Sequence, residues 1–463
     1  MAMSESVRSV VLKFGGTSVR DADAMFRVVG IVERERGGRP VVVTSACAGV
    51  TDQLLECARR AGARRRNEAL ELVAGLRERH LAILDAIAPV SYAHAREELV
   101  AMLDEIERLV NGVLLLQELT PRTVDMFASY GERLSSVLLR SAFEARGWRA
   151  ALADSRRFIV TDADHCNARP IMPEIDRRTA SELVPMLEHS DVVVAQGFIG
   201  STLDGVTTTI GRGGSDHSGA LVGAALGSRE IQIWTDVSGI LTADPRVVPG
   251  ARVVPEVTFS EARELAYFGA KVLHPDTIVP ALARGIPVVV RNSMKPDDPG
   301  TRILPDGAAI AAGIHSITVK KGMSVVELTD RSGAVGDCAV EDSLPLFRRH
   351  GIEVQCALAV ESHALAVVEA SAMDDVMMTE LTSRYTVSQT SPTAVLALIG
   401  AGLRAASNVI AEPLAALAAW PIRFIIAGSS DHVVLVGLDE AHASDALLAV
   451  HRRIFDDATD SAR

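Results

Sequence analysis

Residues 10–294 alternate between short apolar runs and stretches with helical periodicity. Mostly apolar runs of this length predict the strands of a parallel sheet whose two faces are covered by helices, which is an α/β fold. Residues 52–118 depart from this alternation, because they are helical in pattern throughout and rich in Ala, Leu, Arg and Glu. They predict a helical insertion with a solvated surface. The apolar runs are 10–12, 40–44, 191–195, 230–234 and 286–290.

The pattern changes after Lys295-Pro296-Asp297-Asp298-Pro299-Gly300-Thr301, a stretch whose Pro, Asp and Gly end regular structure. Beyond it, one order of elements occurs twice: strand, helix, strand, strand. This order predicts two ferredoxin-like α+β units, with one irregular α+β domain as the alternative. The first set is 317–319 and 323–328, 343–350, 354–360 and 364–368, and the second is 394–399, 408–420, 424–426 and 432–436.

These patterns divide the chain into three predicted parts. A mainly parallel α/β domain covers 1–304, a first ferredoxin-like unit covers 313–386, and a second covers 387–463. The strand near 314–320 can pair with the second unit as well as with the first.

Charge and cysteine content narrow the possible partners. The formal net charge is −12 and no long Lys/Arg run occurs, so neither nucleic acid nor an anionic membrane is expected as a partner. Five scattered cysteines without a C-x-x-C pair argue against a disulfide framework and a zinc site. No apolar signal core or stretch of about 18 apolar residues appears, so a cytoplasmic protein is expected.

Lys13-Phe14-Gly15-Gly16-Thr17-Ser18 follows the first apolar run and precedes a helical pattern that begins near Asp21. Glycines at a strand-to-helix turn leave backbone N–H groups free to face an anion, and the helix adds its positive end. Lys13 would place an ammonium beside that anion, which predicts a site for nucleotide phosphates. The lysine precedes the glycines, so this is not a Walker A loop. An ordinary βα turn with a solvated lysine is the alternative.

A second glycine-rich loop, Ile210-Gly211-Arg212-Gly213-Gly214-Ser215-Asp216, follows Thr207-Thr208-Thr209. It does not match the dinucleotide G-x-G-x-x-G pattern, because position 216 is Asp. The Arg212 guanidinium can bind a carboxylate or phosphate bidentately. Asp216 is acidic where phosphates would gather, so its expected role is to orient lysines. A solvated surface turn is the alternative interpretation.

Two further parts of the sequence suit a nucleotide. Turn residues at 234–239 and 242–246 form one cluster that carries Thr, Asp and Arg past a strand end, with a pair of ordinary turns as the alternative. The other part, 268–275, supplies a second isolated lysine, Lys271. Phosphoryl transfer needs mainly positioning and neutralisation of the moving charge, which two lysines, glycine N–H groups and Mg²⁺ brought by ATP would provide. Glu132, on a helical pattern, is a solvated residue unless it pairs with a substrate ammonium. The protein-kinase segments H-R-D and D-F-G are absent from the sequence.

Taken together, these segments resemble the aspartokinases of the amino-acid kinase fold, and the tail is similar to their tandem ACT domains. The resemblance covers nearly the whole chain, and its motifs occur in the family's order. The matching stretches are 13–19, Ser45 with 49–51, 129–132, 196–200, 207–216, 235–246 and 268–275.

The resemblance implies a role for each matching residue. Lys13 would contact the transferring phosphoryl group and Asp216 would hold the lysines, as the catalytic pair. Glu132 would pair with the aspartate ammonium. The other implied substrate-binding residues are Ser45, Thr51, Arg212 and Ser215, with Arg212 clamping a carboxylate. The implied nucleotide-binding residues are Gly15, Gly16, Thr235, Asp236, Leu241, Asp244, Arg246, Lys271 and Val272.

The implied activity is ATP-dependent phosphorylation of the β-carboxylate of L-aspartate to 4-phospho-L-aspartate. A carboxylate is already ionised at neutral pH, so no general base is required. MgATP is the expected co-substrate, with no prosthetic group and no metal held by the protein alone. The alternatives are another amino-acid kinase, acting on glutamate or N-acetylglutamate, and a catalytically silent ACT sensor. The resemblance also implies a homo-oligomer formed through the ACT units and an amino-acid effector bound there.

Some positions depart from the family's pattern. Leu241 stands where Tyr is frequent near the adenine, and His217 also replaces a usual Tyr. In the first ACT unit the turn at 334–338 lacks the usual Gly-Phe step, and Gln355 occupies a place where Asp is frequent. The effector pocket is therefore expected to differ from that of the lysine-sensitive enzymes.

Overall fold

The computed structural model describes residues 9–88, 93–211, 213–269, 275–330, 339–360, 363–405 and 407–456. Its contacts separate two compact units. The N-terminal unit comprises Met1–Ile240 and Val272–Ala308, and the C-terminal unit comprises Leu241–Lys271 and Ala309–Arg463.

Strands and α-helices are numbered in chain order. The strands are β1 Val10–Phe14, β2 Pro40–Thr44, β3 Ala150–Ala153, β4 Val192–Gln196, β5 Ile199–Ser201, β6 Thr207–Thr209, β7 Glu230–Thr235, β8 Glu256–Thr258, β9 Val288–Asn292, β10 Thr301–Leu304, β11 Gly313–Asp330, β12 Val354–Val360, β13 His363–Glu369, β14 Tyr385–Ala401, β15 Ile422–Ile426 and β16 Val433–Asp439. The α-helices are α1 Ala22–Val32, α2 Val50–Gly62, α3 Arg66–Ile87, α4 Ala93–Leu116, α5 Pro121–Ala145, α6 Met172–His189, α7 Gly214–Leu226, α8 Phe259–Tyr267, α9 Val279–Leu282, α10 Ala339–Arg349, α11 Asp375–Arg384, α12 Ser407–Ala416 and α13 Ala443–His451.

The main sheet of the N-terminal unit has the strand order β3-β4-β2-β1-β7-β9-β10. Its strands are parallel from β3 to β9, and β10 runs antiparallel to β9. All residues of β1, β2 and β4 are buried, as expected for strands covered on both faces. The prediction of a mainly parallel sheet sandwiched by helices is confirmed.

The register brings the functional segments to one edge of this sheet. Phe14 lies opposite both Thr44 and Trp234, and Thr44 lies opposite Gln196. The carboxyl ends of β1, β2, β4 and β7 are therefore level. The loops that follow these strands must meet at that edge, which is where open parallel sheets place their ligands.

The predicted helical insertion at 52–118 contains α2, α3 and α4, and its buried face joins the core of α5. Apolar residues at helical spacing, such as Leu76, Ile83, Leu99 and Leu103, are buried there. Within the described ranges, no helix is both long enough and apolar enough to cross a membrane.

The C-terminal unit is built on one antiparallel sheet with the order β12-β13-β11-β14-β16-β15. Its two central strands, β11 and β14, are long and pair with each other through both halves of the sheet: one half also contains β12 and β13, and the other also contains β15 and β16. The segments 317–319 and 323–328, expected as separate strands, are both parts of β11, which is interrupted by a register shift between Lys320 and Met323. Residues 313–320 pair with 395–401 of β14, inside the second predicted ACT unit.

Each half of this sheet carries its own core. One core contains Leu346 and Phe347 of α10 and Met377 and Leu381 of α11. The other lies under α12 and α13 and includes Leu447 and residues of β14 and β16. The strand–helix–strand–strand order predicted twice is therefore present in both halves.

Residues 241–271 lie within the predicted catalytic domain in sequence, yet their contacts place them in the C-terminal unit. The backbone N–H of Ile317 donates to Thr242 O at 2.8 Å, and Ser316 Oγ donates to Leu241 O at 2.7 Å. Domain boundaries drawn on sequence order and on contacts thus differ for this segment, and the predicted limits 1–304, 313–386 and 387–463 stay predictions.

Candidate active site

A cavity of ≈ 430 Å³ opens in the N-terminal unit where the loops after β1 and β2 meet. It brings together seven residues that the sequence singled out from four separate segments. They are Lys13, Gly16, Ser45, Thr51, Glu132, Ser215 and Asp216. Segments so distant in sequence meet at this point because the parallel strands end at one edge of the sheet.

Lys13 is the fourth residue of β1 and is only 8% exposed. Its Nζ lies 2.6 Å from Asp216 Oδ1, in the first turn of α7. Gly219, one turn further along α7, lets the helix pack against the lysine stem, since a Cβ there would lie 3.2 Å from Lys13 Cβ. The ion pair therefore holds the ammonium in one position at the cavity wall.

Gly16 permits a close approach of two loops. A Cβ at this position would lie 2.7 Å from Ala46 O, which is closer than such atoms come in proteins. The carbonyl of Gly16 also accepts a hydrogen bond from Ala48 N at 3.1 Å. A side chain at position 16 would push the backbone of the 45–49 loop away from the cavity.

Gly16→Ala is expected to lower kcat/KM at least tenfold and to destabilise the fold by roughly 1–3 kcal/mol, because overpacking against a backbone carbonyl cannot relax through a side-chain rotation. The measurement is steady-state kinetics with a thermal melt. Gly30→Ala on α1 is the matched control, since a Cβ there would meet no described atom within 4 Å apart from its chain neighbours and the backbone of its own helix. Equal effects of the two changes would contradict the close-approach argument.

Glu132 on α5 is a buried carboxylate with one oxygen free. Only 3% of the residue is exposed, and its Oε1 accepts a hydrogen bond from Ala46 N at 3.1 Å. No described residue hydrogen-bonds to its buried Oε2. Burial raises the pKa of Glu132 to about 8, although the Ala46 N–H and the charge of Lys13 act in the opposite direction. A buried oxygen without a partner at a cavity wall indicates a place for a cationic or donor group of a ligand.

The second glycine-rich loop leads into α7, whose N-terminus faces the cavity. Gly211 and Gly213 have φ values of 51° and 73°, which glycine adopts without strain. Phe198, at the cavity wall, also has a positive φ of 64°, and its N–H donates to Ser218 Oγ at 2.9 Å. A Cβ at Gly214 would lie 2.7 Å from the Phe198 ring. The N-terminus of α7 and the backbone at Phe198 therefore pack closely and hold each other in position.

The residues predicted for the nucleotide are distributed differently. Thr235 is the last residue of β7 and Asp236 comes directly after it, and Thr235 Oγ1 donates to Asp236 Oδ1 at 3.1 Å. Leu241, Asp244 and Arg246 belong to the C-terminal unit, where Asp244 pairs with an 88%-exposed Arg246 side chain. Three predicted site residues, Arg212, Lys271 and Val272, lie outside the described residues.

A buried polar cluster beside the cavity was not predicted. The carboxylate of Asp125 on α5 is fully buried and is hydrogen-bonded to His165, Cys166 and Thr209. A signal existed in the sequence, because Asp125 precedes Glu132 by seven residues and so lies on the same face of a helix. Its partners are distant in the chain, and only the fold shows that the three meet.

Comparison with known proteins places this site in a family context. The model of the amino acid kinase family matches residues 8–292. The chain is 32% identical over 460 residues to Lysine-sensitive aspartokinase 3 of Escherichia coli (strain K12), covering 96% of this chain and 99% of that one. Two structures of E. coli aspartokinase III, each at 32% identity over 97% of this chain and 100% of theirs, are also similar. The complex with aspartate and ADP (R-state) gives a TM-score of 0.76, and the complex with lysine and aspartate (T-state) gives 0.79.

Proposed function

We propose, on the premise that this chain belongs to the amino acid kinase family and within it to the aspartokinases, that the cavity of the N-terminal unit is its catalytic site. The chain transfers the terminal phosphoryl group of ATP to the β-carboxylate of L-aspartate and so forms 4-phospho-L-aspartate, the first step of the aspartate-family amino-acid pathway. The observation that carries the assignment of the site is the unpartnered Oε2 of Glu132 in the same cavity as the Lys13–Asp216 pair.

Glu132 binds the amino group of aspartate in this proposal. The ammonium supplies the hydrogen-bond donor and the positive charge that its buried Oε2 lacks. An acylated amino acid has no ammonium to offer, so the same oxygen would stay unpartnered. Arg212 clamps a carboxylate of the substrate, and the hydroxyls of Ser45, Thr51 and Ser215 line the remaining wall.

Lys13 neutralises charge on the phosphoryl group in transfer, with Asp216 fixing its ammonium. Catalysis of this reaction depends on positioning and electrostatics, since the attacking carboxylate needs no base. The N–H of Gly15 already donates to Trp234 O at 3.2 Å. The backbone donor predicted for this turn is therefore assigned to Gly16. Magnesium enters with the nucleotide as part of the MgATP substrate.

The nucleotide set predicted from the sequence remains part of the proposal. Thr235 and Asp236 are supported by their place at the end of β7, since Gly15 of the phosphate turn bonds to the neighbouring Trp234. The aliphatic Leu241 would pack against the adenine where relatives often carry Tyr. The remaining members are Asp244, Arg246, Lys271 and Val272.

The test is an assay of ADP formation with aspartate, glutamate and N-acetylglutamate offered separately. Hydroxylamine in a parallel reaction traps an acyl phosphate as a hydroxamate. Aspartate alone should give both signals. Turnover of glutamate or N-acetylglutamate in preference to aspartate, or no turnover of any, would contradict the substrate assignment.

An effector and an oligomer are proposed for the C-terminal unit. Its two halves have the strand and helix order of ACT units, and the similar T-state structure is a complex with lysine and aspartate. We propose that the unit binds an amino-acid effector and joins copies of the chain into a homo-oligomer. The predicted cytoplasmic location stays a prediction.

Lysine alone is expected to inhibit this enzyme weakly or not at all. Gln355 offers a neutral amide in place of a carboxylate, and its Oε1 already accepts a hydrogen bond from Lys320 Nζ at 2.6 Å. The altered turn at 334–338, which also motivates this prediction, lies outside the described residues. A ligand shifts an allosteric equilibrium only by its difference in affinity for the two states. Activity titrated against lysine, threonine and their mixture checks it, and micromolar inhibition by lysine with matching thermal stabilisation would overturn it.

A further inference from the structure

We infer that Asp125 is a positioning residue that holds the start of the loop after β6, up to Gly211, against the helix carrying Glu132, and so sets the affinity for the amino-acid substrate. This inference rests on the substrate roles proposed above for Glu132 and Arg212. Asp125 does not line the cavity. It acts through the segments that its carboxylate ties together.

The Asp125 carboxylate is fully buried and uses both oxygens. Its Oδ1 accepts from Thr209 Oγ1 and from Cys166 N at 3.0 Å. Its Oδ2 accepts from His165 Nδ1 at 2.7 Å and shares the Cys166 N–H at 3.1 Å. Burying a carboxylate costs desolvation free energy, and hydrogen bonds from surrounding donors offset that cost. Because the donors to Asp125 come from the 165–166 loop and from β6, the cluster fixes these two segments and α5 in one arrangement.

The first link between Asp125 and the cavity is the hydrogen bond from Thr209, the last residue of β6. Thr209 lies two residues before Gly211, which forms part of the cavity wall. Arg212 follows Gly211 in the sequence, and α7 begins at Gly214 with Ser215 and Asp216 in its first turn. The hydroxyl of Thr209 thus anchors the start of the loop that supplies three predicted site residues.

The second link runs through the 165–167 loop. Cys166 has a φ of 70°, a conformation that L side chains rarely adopt, and the two hydrogen bonds of its N–H to Asp125 hold it there. The next residue, Asn167, places its Oδ1 2.6 Å from where a Cβ of Gly211 would lie. Ala168 N also donates to Thr209 O at 3.0 Å. Asn167 therefore occupies the space beside Gly211 that a side chain at position 211 would need.

Both links start from the helix that carries Glu132. Asp125 and Glu132 are two turns apart on α5, about 10 Å along the helix axis. One rigid element thereby sets the distance between the carboxylate that meets the substrate ammonium and the loop that meets a substrate carboxylate. In the proposed function ATP phosphates contact Lys13 and the Gly16 turn, and no described hydrogen bond joins either of these directly to Asp125, His165, Cys166 or Thr209. Asp216, which pairs with Lys13, lies further along the chain inside α7, so the effect on ATP is expected to be the smaller one.

The test compares Thr209→Val with Thr209→Ser in the full-length enzyme. Thr209→Val removes the hydroxyl at constant shape and should raise KM for aspartate roughly tenfold, the scale of a hydrogen bond to a charged group, while KM for ATP changes less than about twofold. Thr209→Ser keeps the hydroxyl and should leave KM for aspartate close to the wild-type value. Asp125→Asn should shift KM for aspartate in the same direction by a larger factor.

Glu261→Gln is the matched control for loss of any buried carboxylate. Glu261 is also fully buried and accepts hydrogen bonds from His315 Nδ1 at 2.6 Å and from Thr258, but it lies in the C-terminal unit. The Glu261→Gln substitution should lower the melting temperature without changing KM for aspartate. The inference is overturned if both KM values rise together in Thr209→Val, if the Ser variant behaves like the Val variant, or if Glu261→Gln raises KM for aspartate equally.

Arg212→Ala in the same series distinguishes a failure of the proposed substrate role of Arg212 from a failure of the positioning role of Asp125. If it leaves KM for aspartate unchanged, the proposed role of Arg212 is wrong and the inference built on it falls with it. If it raises KM for aspartate while Thr209→Val does not, the proposed function stands and the positioning role of Asp125 alone is refuted.

Discussion

Replacing Lys13 with alanine is expected to lower kcat by roughly 10²- to 10³-fold, the scale of losing one preorganised electrostatic contact to a developing charge. The lysine is nearly buried and its Nζ is fixed at 2.6 Å from Asp216, so the ammonium needs little reorganisation when the phosphoryl group arrives. The measurement is kcat at saturating aspartate and MgATP. A wild-type kcat in the purified variant would remove Lys13 from the catalytic machinery.

Two controls accompany this measurement. Lys321→Ala removes another of the five lysines in the sequence, an exposed one on β11, and should leave kcat unchanged. A thermal melt of Lys13→Ala shows whether the fold survives, because the change also leaves Asp216 without its ion-pair partner. A loss of kcat accompanied by an intact melting transition assigns the effect to chemistry and not to unfolding.

Glu132→Gln is expected to raise KM for aspartate by roughly 10- to 100-fold, the range for a lost hydrogen bond to a charged group, with a much smaller change in KM for ATP. The amide cannot offer the negative charge that the substrate ammonium meets. Arg212→Ala should show the same split, since it pairs with the other charged end of the amino acid. The opposite result, a raised KM for ATP with KM for aspartate unchanged, would show that these roles are misassigned.

The pH dependence gives a second readout of the same residue. Because burial raises the pKa of Glu132 to about 8, its carboxyl is protonated in the ligand-free enzyme at neutral pH. Binding of the ammonium requires the ionised form, so KM for aspartate should fall by roughly tenfold per pH unit between about pH 6 and pH 7 and level off above about pH 8. In Glu132→Gln this dependence should disappear, and a pH profile equal to that of the wild type would contradict the assignment.

The raised pKa of Glu132 also makes the stability of the ligand-free enzyme depend on pH. A carboxyl whose pKa is higher in the folded than in the unfolded state binds more protons when folded. Its contribution to folding is therefore fully present below the unfolded pKa of 4.5 and is lost as the pH rises through about 8. Melts of wild type and Glu132→Gln should accordingly diverge as the pH rises, with the glutamine variant losing less stability.

The sequence predicted the parallel sheet well because buried strands of such a sheet are apolar on both faces. The run 40–44 corresponds to β2 residue for residue, and the helix expected near Asp21 begins at Ala22 with Asp21 as its N-cap. The length of β14 could not be predicted. Only its second half is an apolar run, and the first half, 385–393, is polar and mostly exposed, so nothing in its pattern marks a strand.

The candidate site shows a similar division. Lys13, Gly16 and Asp216 were predictable because their chemistry is local: a lysine on a strand, glycines in a turn and an acid at a helix start. The environment of Glu132 was not predictable, since an unpartnered oxygen is a property of burial and of the Ala46 loop 86 residues away. The Asp125 cluster was missed for the same reason, as its partners lie about 40 and 84 positions further along the chain.

The two long strands of the C-terminal unit determine how cooperatively this unit unfolds. Because β11 and β14 each contribute hydrogen bonds to both halves, neither half has a complete sheet without the other. Unfolding of one half would leave the other with frayed strands and an open edge, so the two should melt in a single cooperative transition. A truncation at the predicted boundary near 386 would interrupt β14. It would divide a single cooperative sheet, although the sequence suggests two separate units there.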